Sequence, residues 1–462
     1  MAVVGAIMVP HPPLIVPAVG RGQEAVIAET SAAYKQAAEF VRDLAPDTIV
    51  LSSPHSVMYS DYFHISPGKS ARGSLRNFGA LGTTIEVMYD TELVNRICRL
   101  ADEQNFPAGT MGEKDAALDH GTVVPLTFIN EVYPNYQLVR IGLSGLSFAD
   151  HYRLGQMVRE AAEALNRRVV YVGSGDLSHK LKEEGPYGFD ESGPVYDERI
   201  MDVMGRAAFH ELFDFSDDLC DKAAECGHRS FIMMAGALDA SAVSAERLSH
   251  QDVTGVGYGI CTYLVTGADP TRNFLAQWEA ERRKEQMEKR RNEDDYVALA
   301  RYSIESFVTT RNRAVLPTDL NDTFLHTRAG VFVSLKKEGR LRGCIGTIAP
   351  TQDSLAEEIM ENAISAAMYD SRFRPVTEPE LDHLEYSVDV LMPAQKIDSP
   401  AFLDVKRYGV IVTQGRKRGL LLPDLEGVDT VEEQIAIAKQ KAGIDVADTD
   451  VTLERFEVVR HH

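Results

Sequence analysis

The chain has 462 residues, too many for one ordinary hydrophobic core, so its length predicts two or three domains. Its content of 44% hydrophobic and 25% charged residues is typical of a soluble globular protein and excludes a disordered chain. The formal net charge of −21 argues against a nucleic-acid-binding surface, because phosphate binding requires a basic face.

Cysteine usage and the N-terminus favour a cytoplasmic protein. The five cysteines include no C-x-x-C pair and no three-cysteine motif for an iron–sulfur cluster, which fits a reducing compartment. The start, MAVVGAIMVPHPPLIVP, has no basic residues and is broken by prolines, so it predicts a strand and a loop, not a signal peptide. No apolar run reaches the ~18–20 residues of a membrane-spanning helix. We therefore expect no membrane contact.

Residues 1–270 alternate strand-like and helix-like segments. The first is a continuous apolar run at 3–9, as expected of a strand buried on both faces. A helix is predicted where apolar residues recur at helical spacing, at Tyr34, Ala37, Ala38, Val41 and Leu44. Further strands are predicted at 48–53, about 136–144, about 168–179 and 257–267, with a helix at about 148–166. This alternation predicts an α/β domain, a mixed central sheet flanked by helices.

The rest of the chain predicts a linker and a second domain. Residues 271–295 include WEAERRKEQMEKRRNEDD, a run of mixed charges without an apolar stripe, which is typical of a solvated helical linker. Residues 296–462 begin with a helix, continue with short strands and include a helix that ends at Gly443, the expected C-cap residue. They predict a separate, smaller α+β domain.

Histidines follow several of the predicted strands. His11 comes directly after the first strand, His55 after the second, and His179 at the end of a later one. Ligands of open α/β sheets bind outside the carboxyl ends of the strands, so we expect these side chains to share one crevice. His120, in LDHGTVVPL, lies in a loop that enters a helix or strand. Any one of the four is as readily a hydrogen-bonding loop residue, but their equivalent positions together indicate a site.

A metal ion would need a third ligand. Two imidazoles and one carboxylate on one face of the ion form the site of non-haem iron(II) oxygenases, which leaves positions open for substrate and dioxygen. The stretch ECGHRS contains three residues able to bind a metal, Glu225, Cys226 and His228. Glu225 is the carboxylate nearest the predicted turn before the helix SFIMMAGALDA.

Five motifs in order, PHPP, SPHS, DHGTVVPL, SGDLSH and ECGHRS, resemble the class III extradiol ring-cleaving dioxygenases (LigB-like), a family whose relative Memo shares the fold. The resemblance implies an iron(II)-dependent enzyme that inserts dioxygen into a catecholic or similarly chelating aromatic substrate. It implies that His11, His55 and Glu225 are the iron ligands. It also implies that His179 is the general acid/base and that His120 is a second active-site histidine, which contacts the substrate.

One departure from the family pattern concerns Glu225 and Cys226. In Memo-type relatives a cysteine takes the place of the carboxylate, and here the two residues are adjacent. Adjacent side chains rarely point the same way, so only one is expected to face the metal. Iron(II) with dioxygen favours Glu225, whereas a thiolate favours copper or zinc. We expect Glu225 to be the ligand and His228 to lie at a helix start or behind the ligands.

The C-terminal segments LRGCIGTI, DSRFRPVTEPEL and RGLLLPDLEGVDTVEEQIAIAKQKAGI resemble the AMMECR domain, a family without an established activity. The fusion of both domains is similar to the A proteins of the AmmeMemoRadiSam system, which implies a radical-SAM partner protein. The alternative to an enzyme is a Memo-like metal-binding adaptor without ring cleavage.

Cys344 lies near Arg342 in the sequence, where a guanidinium could lower the pKa of a thiol, but we expect Cys344 to be a small buried side chain without a chemical role. The oligomeric state stays open, although homo-oligomers are common among α/β enzymes.

Overall fold

The computed structural model describes residues 2–114, 117–337, 339–425 and 427–462. These residues form two compact units, one up to Glu279 and the other from Ala280 to His462. A helix at Phe274–Asn292 spans the division and occupies most of the segment predicted as a charged linker. Among the described helices, none combines the length and the apolar character needed to cross a membrane.

The first unit is built on a six-stranded mixed sheet, which confirms the predicted fold class. Its strands are β1 (Val3–Val9), β2 (Thr48–Ser53), β3 (Gln137–Gly142), β4 (Val169–Ser174), β5 (Ser241–Gln251) and β6 (Tyr258–Ala268). The spatial order is β5-β6-β1-β4-β2-β3. Strands β1, β4, β2 and β3 run parallel, whereas β6 is antiparallel to both β1 and β5.

Strand β5 is an element that the sequence did not predict. Its residues, SAVSAERLSHQ, are mostly half-buried or exposed. An antiparallel edge strand pairs on one side only and carries polar residues toward solvent, so it lacks the apolar run of a central strand. Three of the four parallel strands lie within two residues of their expected bounds, whereas β4 ends at Ser174, about five residues before its expected end.

Helices cover both faces of this sheet. Besides the one-turn helix Pro17–Gly20, the helices that begin in this unit are α1 (Ala28–Leu44), α2 (Thr91–Glu103), α3 (His120–Val132), α4 (Phe148–Ala164), α5 (Ser192–Gly205), α6 (Asp217–Ala223), α7 (His228–Ala237) and α8 (Phe274–Asn292). Alternate residues of β1 enter different cores: Ala6 and Met8 pack in one, Ile7 and Val9 in the other. This is the two-residue period of a strand buried on both faces. Shorter strands lie at Phe63–His64, Ser70–Ser74, Thr84–Met88, Ala108–Gly109 and Ala117–Leu118.

The parallel pairing positions the candidate site. Val9 pairs with Ser174, and Ser52 pairs with Gly173, so β1, β4 and β2 end at the same edge of the sheet. The loops that follow these strands therefore leave the sheet side by side.

The second unit is α+β. One four-stranded antiparallel sheet has the order Arg340–Gly346, Val331–Lys337, Leu384–Leu391, Val458–His461. The other has the order Gln395–Ile397, Thr452–Phe456, Gly409–Gln414, Lys417–Leu421. Helices lie at Asp295–Thr310, Asp322–His326, Leu355–Met368 and Val431–Ala442. The last ends at Gly443, whose φ of 65° is the left-handed C-cap that the sequence predicted.

Candidate metal centre

Three side chains able to bind a metal meet beyond the ends of the parallel strands. The Nε2 atoms of His11 and His55 lie 3.0 Å apart, and the Sγ of Cys226 lies 3.6 Å from Nε2 of His11. One potential ligand atom from each residue lies within 4.8 Å of the other two. His11 is buried, Cys226 is half-buried and His55 is exposed, so the cluster opens to solvent on the His55 side.

Cys226, and not Glu225, lies in this cluster. The carboxylate of Glu225 accepts a hydrogen bond from the backbone N–H of His228, with Oε2 2.5 Å from the nitrogen. That N–H belongs to the first residue of α7, where N–H groups have no partner within the helix. Glu225 is therefore bound to the N-terminus of α7, whereas the sequence predicted it to be a metal ligand.

The donor set fits a metal ion. Nitrogen ligands lie about 2.1 Å and thiolate ligands about 2.3 Å from zinc, so atoms that share such an ion are separated by about 3–4 Å. The separations of 3.0 Å and 3.6 Å from His11 lie in this range. Burial, followed by the carboxyl groups of Asp176 and Glu225, holds the pKa of the Cys226 thiol well above its usual range. A bound cation supplies the charge that would stabilise the thiolate.

Two further histidines line the cluster. The ring centroid of His120 lies 4.0 Å from that of His55 and 5.4 Å from that of His11. His179 is held by its backbone N–H, which donates to the carbonyl of Ala223 over 3.1 Å. Burial, followed by the charge of His55, lowers the pKa of both His120 and His179 to about 4. Both imidazoles are therefore neutral near pH 7.

Two exposed aromatic rings extend from these histidines. The ring of Phe78 lies 5.1 Å from His120, and the ring of Tyr187 stacks on His179 at 5.0 Å. Phe78 is 41% and Tyr187 is 60% exposed, which is unusual for such large side chains. We call these two residues the aromatic rim.

Acidic residues behind the cluster were not predicted from the sequence. Asp176 is buried and accepts the backbone N–H of His11 over 2.7 Å, while its own N–H donates to Sγ of Cys226 over 3.3 Å. Burial raises the pKa of Asp176 to about 7. Asp119 caps α3, accepting the N–H of Thr122 over 3.0 Å. The available signal was the position of these aspartates within the motifs DHG and SGD, close to a loop histidine.

His228 has a structural role. Its buried Nε2 donates to the carbonyl of Leu212 over 3.1 Å, so Nδ1 is the acceptor for the hydroxyl of Tyr196 at 3.3 Å. Burial lowers its pKa to about 3. This position agrees with the expectation that His228 lies at a helix start.

In the second unit, Cys344 is half-buried on the edge strand Arg340–Gly346. The guanidinium of Arg342 pairs with Glu380 over 2.9 Å. Arg372 pairs with Asp370 over 2.7 Å. Arg342 and Arg372 therefore both have carboxylate partners.

Comparison with known proteins assigns both units. Residues 5–261 match the family model described as the catalytic LigB subunit of aromatic ring-opening dioxygenase, and residues 297–461 match AMMECR1. Protein CA_C1420 of Clostridium acetobutylicum is 40% identical over 470 residues, covering 100% of this chain and 99% of that protein. A Thermotoga maritima protein is 51% identical over 172 residues, covering 37% of this chain and 98% of that protein. The crystal structure of an uncharacterized protein, PH0010 from Pyrococcus horikoshii, is 34% identical with a TM-score of 0.34, covering 36% of this chain and 88% of that one.

Proposed function

Because the chain belongs to the LigB family of ring-opening dioxygenase subunits and carries an AMMECR1 domain, we propose that its first unit is a metal-dependent enzyme. It would open the ring of a catecholic or similarly chelating aromatic compound with dioxygen. The observation that carries the proposal is the convergence of His11, His55 and Cys226, with His120 and His179 beside them. A set of neutral imidazoles and one thiol at the open edge of an α/β sheet is suited to bind a metal and a small ligand together.

In this proposal His11, His55 and Cys226 hold iron(II), and Cys226 replaces Glu225 as the third ligand. When bound, the metal supplies a common attachment point for the chelating substrate and dioxygen. The three protein ligands leave the solvent side free, since His55 is the exposed member of the set. A thiolate also binds copper and zinc well, so metal analysis of the purified protein is part of the test.

In this proposal His179 and His120 are the residues that serve proton transfer and substrate contact. A catechol loses protons when it chelates a metal, and a neutral imidazole nearby can accept one. The lowered pKa keeps both histidines in the neutral form near pH 7. We assign His179 as the general acid/base and His120 as the substrate-contacting histidine. The chain would act in the cytoplasm, where a reducing environment keeps the Cys226 thiol free.

A second candidate function is metal binding without ring cleavage, in cooperation with a radical-SAM partner protein. The thiol of Cys226 favours it, because oxygenases of the facial-triad type use a carboxylate at the third position. The two candidates differ in whether the loaded protein consumes dioxygen.

The experiment is anaerobic loading with iron(II), metal analysis, and dioxygen uptake with a panel of catechols. We expect His11→Ala to lose both metal and uptake, and His179→Ala to keep the metal but lose uptake. The matched control is His210→Ala, because His210 is an exposed histidine outside the cluster. A folded protein that binds metal but consumes no dioxygen would support the second candidate, and one that binds no metal would refute both.

A further inference from the structure

A buried serine lies directly behind the innermost histidine of the cluster. Oγ of Ser174, at the end of β4, is 3.0 Å from Nδ1 of His11 and 2.6 Å from the carbonyl oxygen of Gly121. A serine hydroxyl has one proton to donate, and a carbonyl oxygen can only accept. Ser174 therefore donates to Gly121. Its oxygen must then accept from Nδ1–H of His11, which fixes the position of the proton on that imidazole.

The carbonyl of Gly121 is free for this bond because of a proline. In an α-helix, the carbonyl of residue 121 accepts the N–H of residue 125. Residue 125 is Pro125, inside α3, and proline has no N–H. The unpaired carbonyl is buried and needs a donor, which Ser174 provides. The proline within DHGTVVPL, unfavourable for a helix by itself, thus has a role at the site.

Gly121 also brings this carbonyl close to the metal-binding loops. A Cβ on Gly121 would lie 2.4 Å from Oγ of Ser53 and 3.3 Å from Cδ2 of His55. The first contact is too short for any larger residue without displacement of Ser53. Glycine therefore allows the start of α3 to pack directly against the loop that carries His55.

We propose that Pro125, Gly121 and Ser174 together hold His11 in the Nδ1–H tautomer. The lone pair of Nε2 is then directed toward His55 and Cys226. Pro125, Gly121 and Ser174 are positioning residues and do not touch the metal themselves. A hydrogen bond to the outer nitrogen orients a ligating imidazole and raises its basicity. The inference rests on the proposed metal site for its purpose, but the tautomer itself is a property of the metal-free protein.

The tautomer is tested first, without metal. Protein labelled with 15N-histidine is examined by NMR near pH 7, where burial keeps His11 neutral, and its signals are assigned by comparison with His11→Gln. We expect a protonated Nδ1 and a bare Nε2 for His11 in the wild type. Ser174→Ala should shift this pattern toward the other tautomer. A wild-type His11 with its proton on Nε2 would overturn the proposal, whether or not the protein binds a metal.

Metal affinity gives the second test. Ser174→Ala should weaken binding of the ion found by metal analysis by about 10- to 100-fold. Pro125→Ala should also weaken it, because the new N–H competes with Ser174 for the carbonyl of Gly121. The matched control is Ser52→Ala, which removes a buried hydroxyl of the adjacent strand that bonds to Oγ of Ser230 at 2.7 Å.

The proline variant separates positioning from general damage. Removal of a proline from a helix interior restores an N–H donor and favours the helix. We therefore expect Pro125→Ala to melt no lower than the wild type while it binds metal more weakly. Folded Ser174→Ala and Pro125→Ala proteins with wild-type metal affinity would contradict the proposed positioning of His11. If neither variant folds, the wild-type NMR measurement still decides the question. If no metal binds, the proposed function fails, and the tautomer measurement remains valid.

Discussion

The carboxylate of Asp119 lies 3.5 Å from the guanidinium of Arg140, forming an ion pair beneath the candidate metal centre. The Arg140 side chain is only 2% exposed and also donates to Oγ of Ser66 over 2.7 Å. Asp119 accepts the hydroxyl of Ser53 over 2.6 Å, and Ser53 in turn accepts the backbone N–H of His55 over 3.2 Å. One buried cation thus supports the aspartate that orients both the His55 loop and the start of α3.

Removal of the Asp119 charge should destabilise the first unit. Asp119→Asn removes the carboxylate charge that faces the buried guanidinium of Arg140, which we expect to lower the free energy of unfolding by about 3 kcal/mol. Arg140→Met combined with Asp119→Asn should lose less stability than the sum of the single changes, since both changes remove the same ion pair. Denaturant unfolding of the four proteins measures this coupling. Additive losses would mean that the pair contributes no interaction energy.

Cys226 and Glu225 should have separate effects. We expect Cys226→Ser to weaken metal binding at least tenfold, since it replaces a thiolate ligand with a hydroxyl. Glu225→Ala should leave metal affinity within about twofold of the wild type. It should lower the free energy of unfolding by about 1 kcal/mol, the usual effect of a lost helix cap. Metal titration and denaturant unfolding of both variants measure this. The opposite pattern would return Glu225 to the ligand set.

The aromatic rim should select ligands with a flat ring. With the metal-loaded protein, we expect Phe78→Ala and Tyr187→Ala each to weaken 4-nitrocatechol binding about three- to tenfold, the usual contribution of an aromatic pair. Binding of the aliphatic chelator acetohydroxamate should change less than twofold. Phe189→Ala is the matched control, because Phe189 is 44% exposed on the same loop as Tyr187. Equal losses for both ligands would indicate damage to the metal site, not loss of ring recognition.

His228 should make the protein sensitive to acid. Its pKa is about 3 in the folded chain, compared with about 6.5 in the unfolded chain. Between these values the unfolded state binds one more proton, so the stability contributed by neutral His228 is lost as pH falls below 6.5. The stability difference between the wild type and His228→Gln should therefore shrink by about 2 kcal/mol from pH 7 to pH 5. Denaturant unfolding at both pH values measures it, and an unchanged difference would contradict the buried neutral state.

Much of the fold was readable from local patterns. The four parallel strands are buried on both faces, so their apolar runs are continuous, and their predicted bounds were close to those observed except at the end of β4. Strand β5 was missed because its pairing with β6 is a tertiary contact that leaves no apolar run in SAVSAERLSHQ. The local sequence indicates whether a segment is buried, but it does not indicate which neighbouring strand provides its hydrogen bonds.

Within the site, the sequence indicated the four histidines, because strand ends in a parallel sheet meet at one edge. The buried groups behind them required the folded chain. Ser174 and His11 are 163 positions apart, and Arg140 is remote from His55, so no local spacing connects them. Pro125 was visible in the sequence, but its purpose depends on the carbonyl that it leaves free for another strand.

The stretch ECGHRS shows the division between sequence and structure most directly. The sequence determined that a carboxylate and a thiol stand side by side before a helix, at the end of a family pattern with His11 and His55. It did not determine which one faces the histidines, because adjacent side chains point in different directions and both residue types bind metals. The helix start decided it: the unpaired N–H of His228 takes the carboxylate of Glu225, and the thiol of Cys226 is left beside His11.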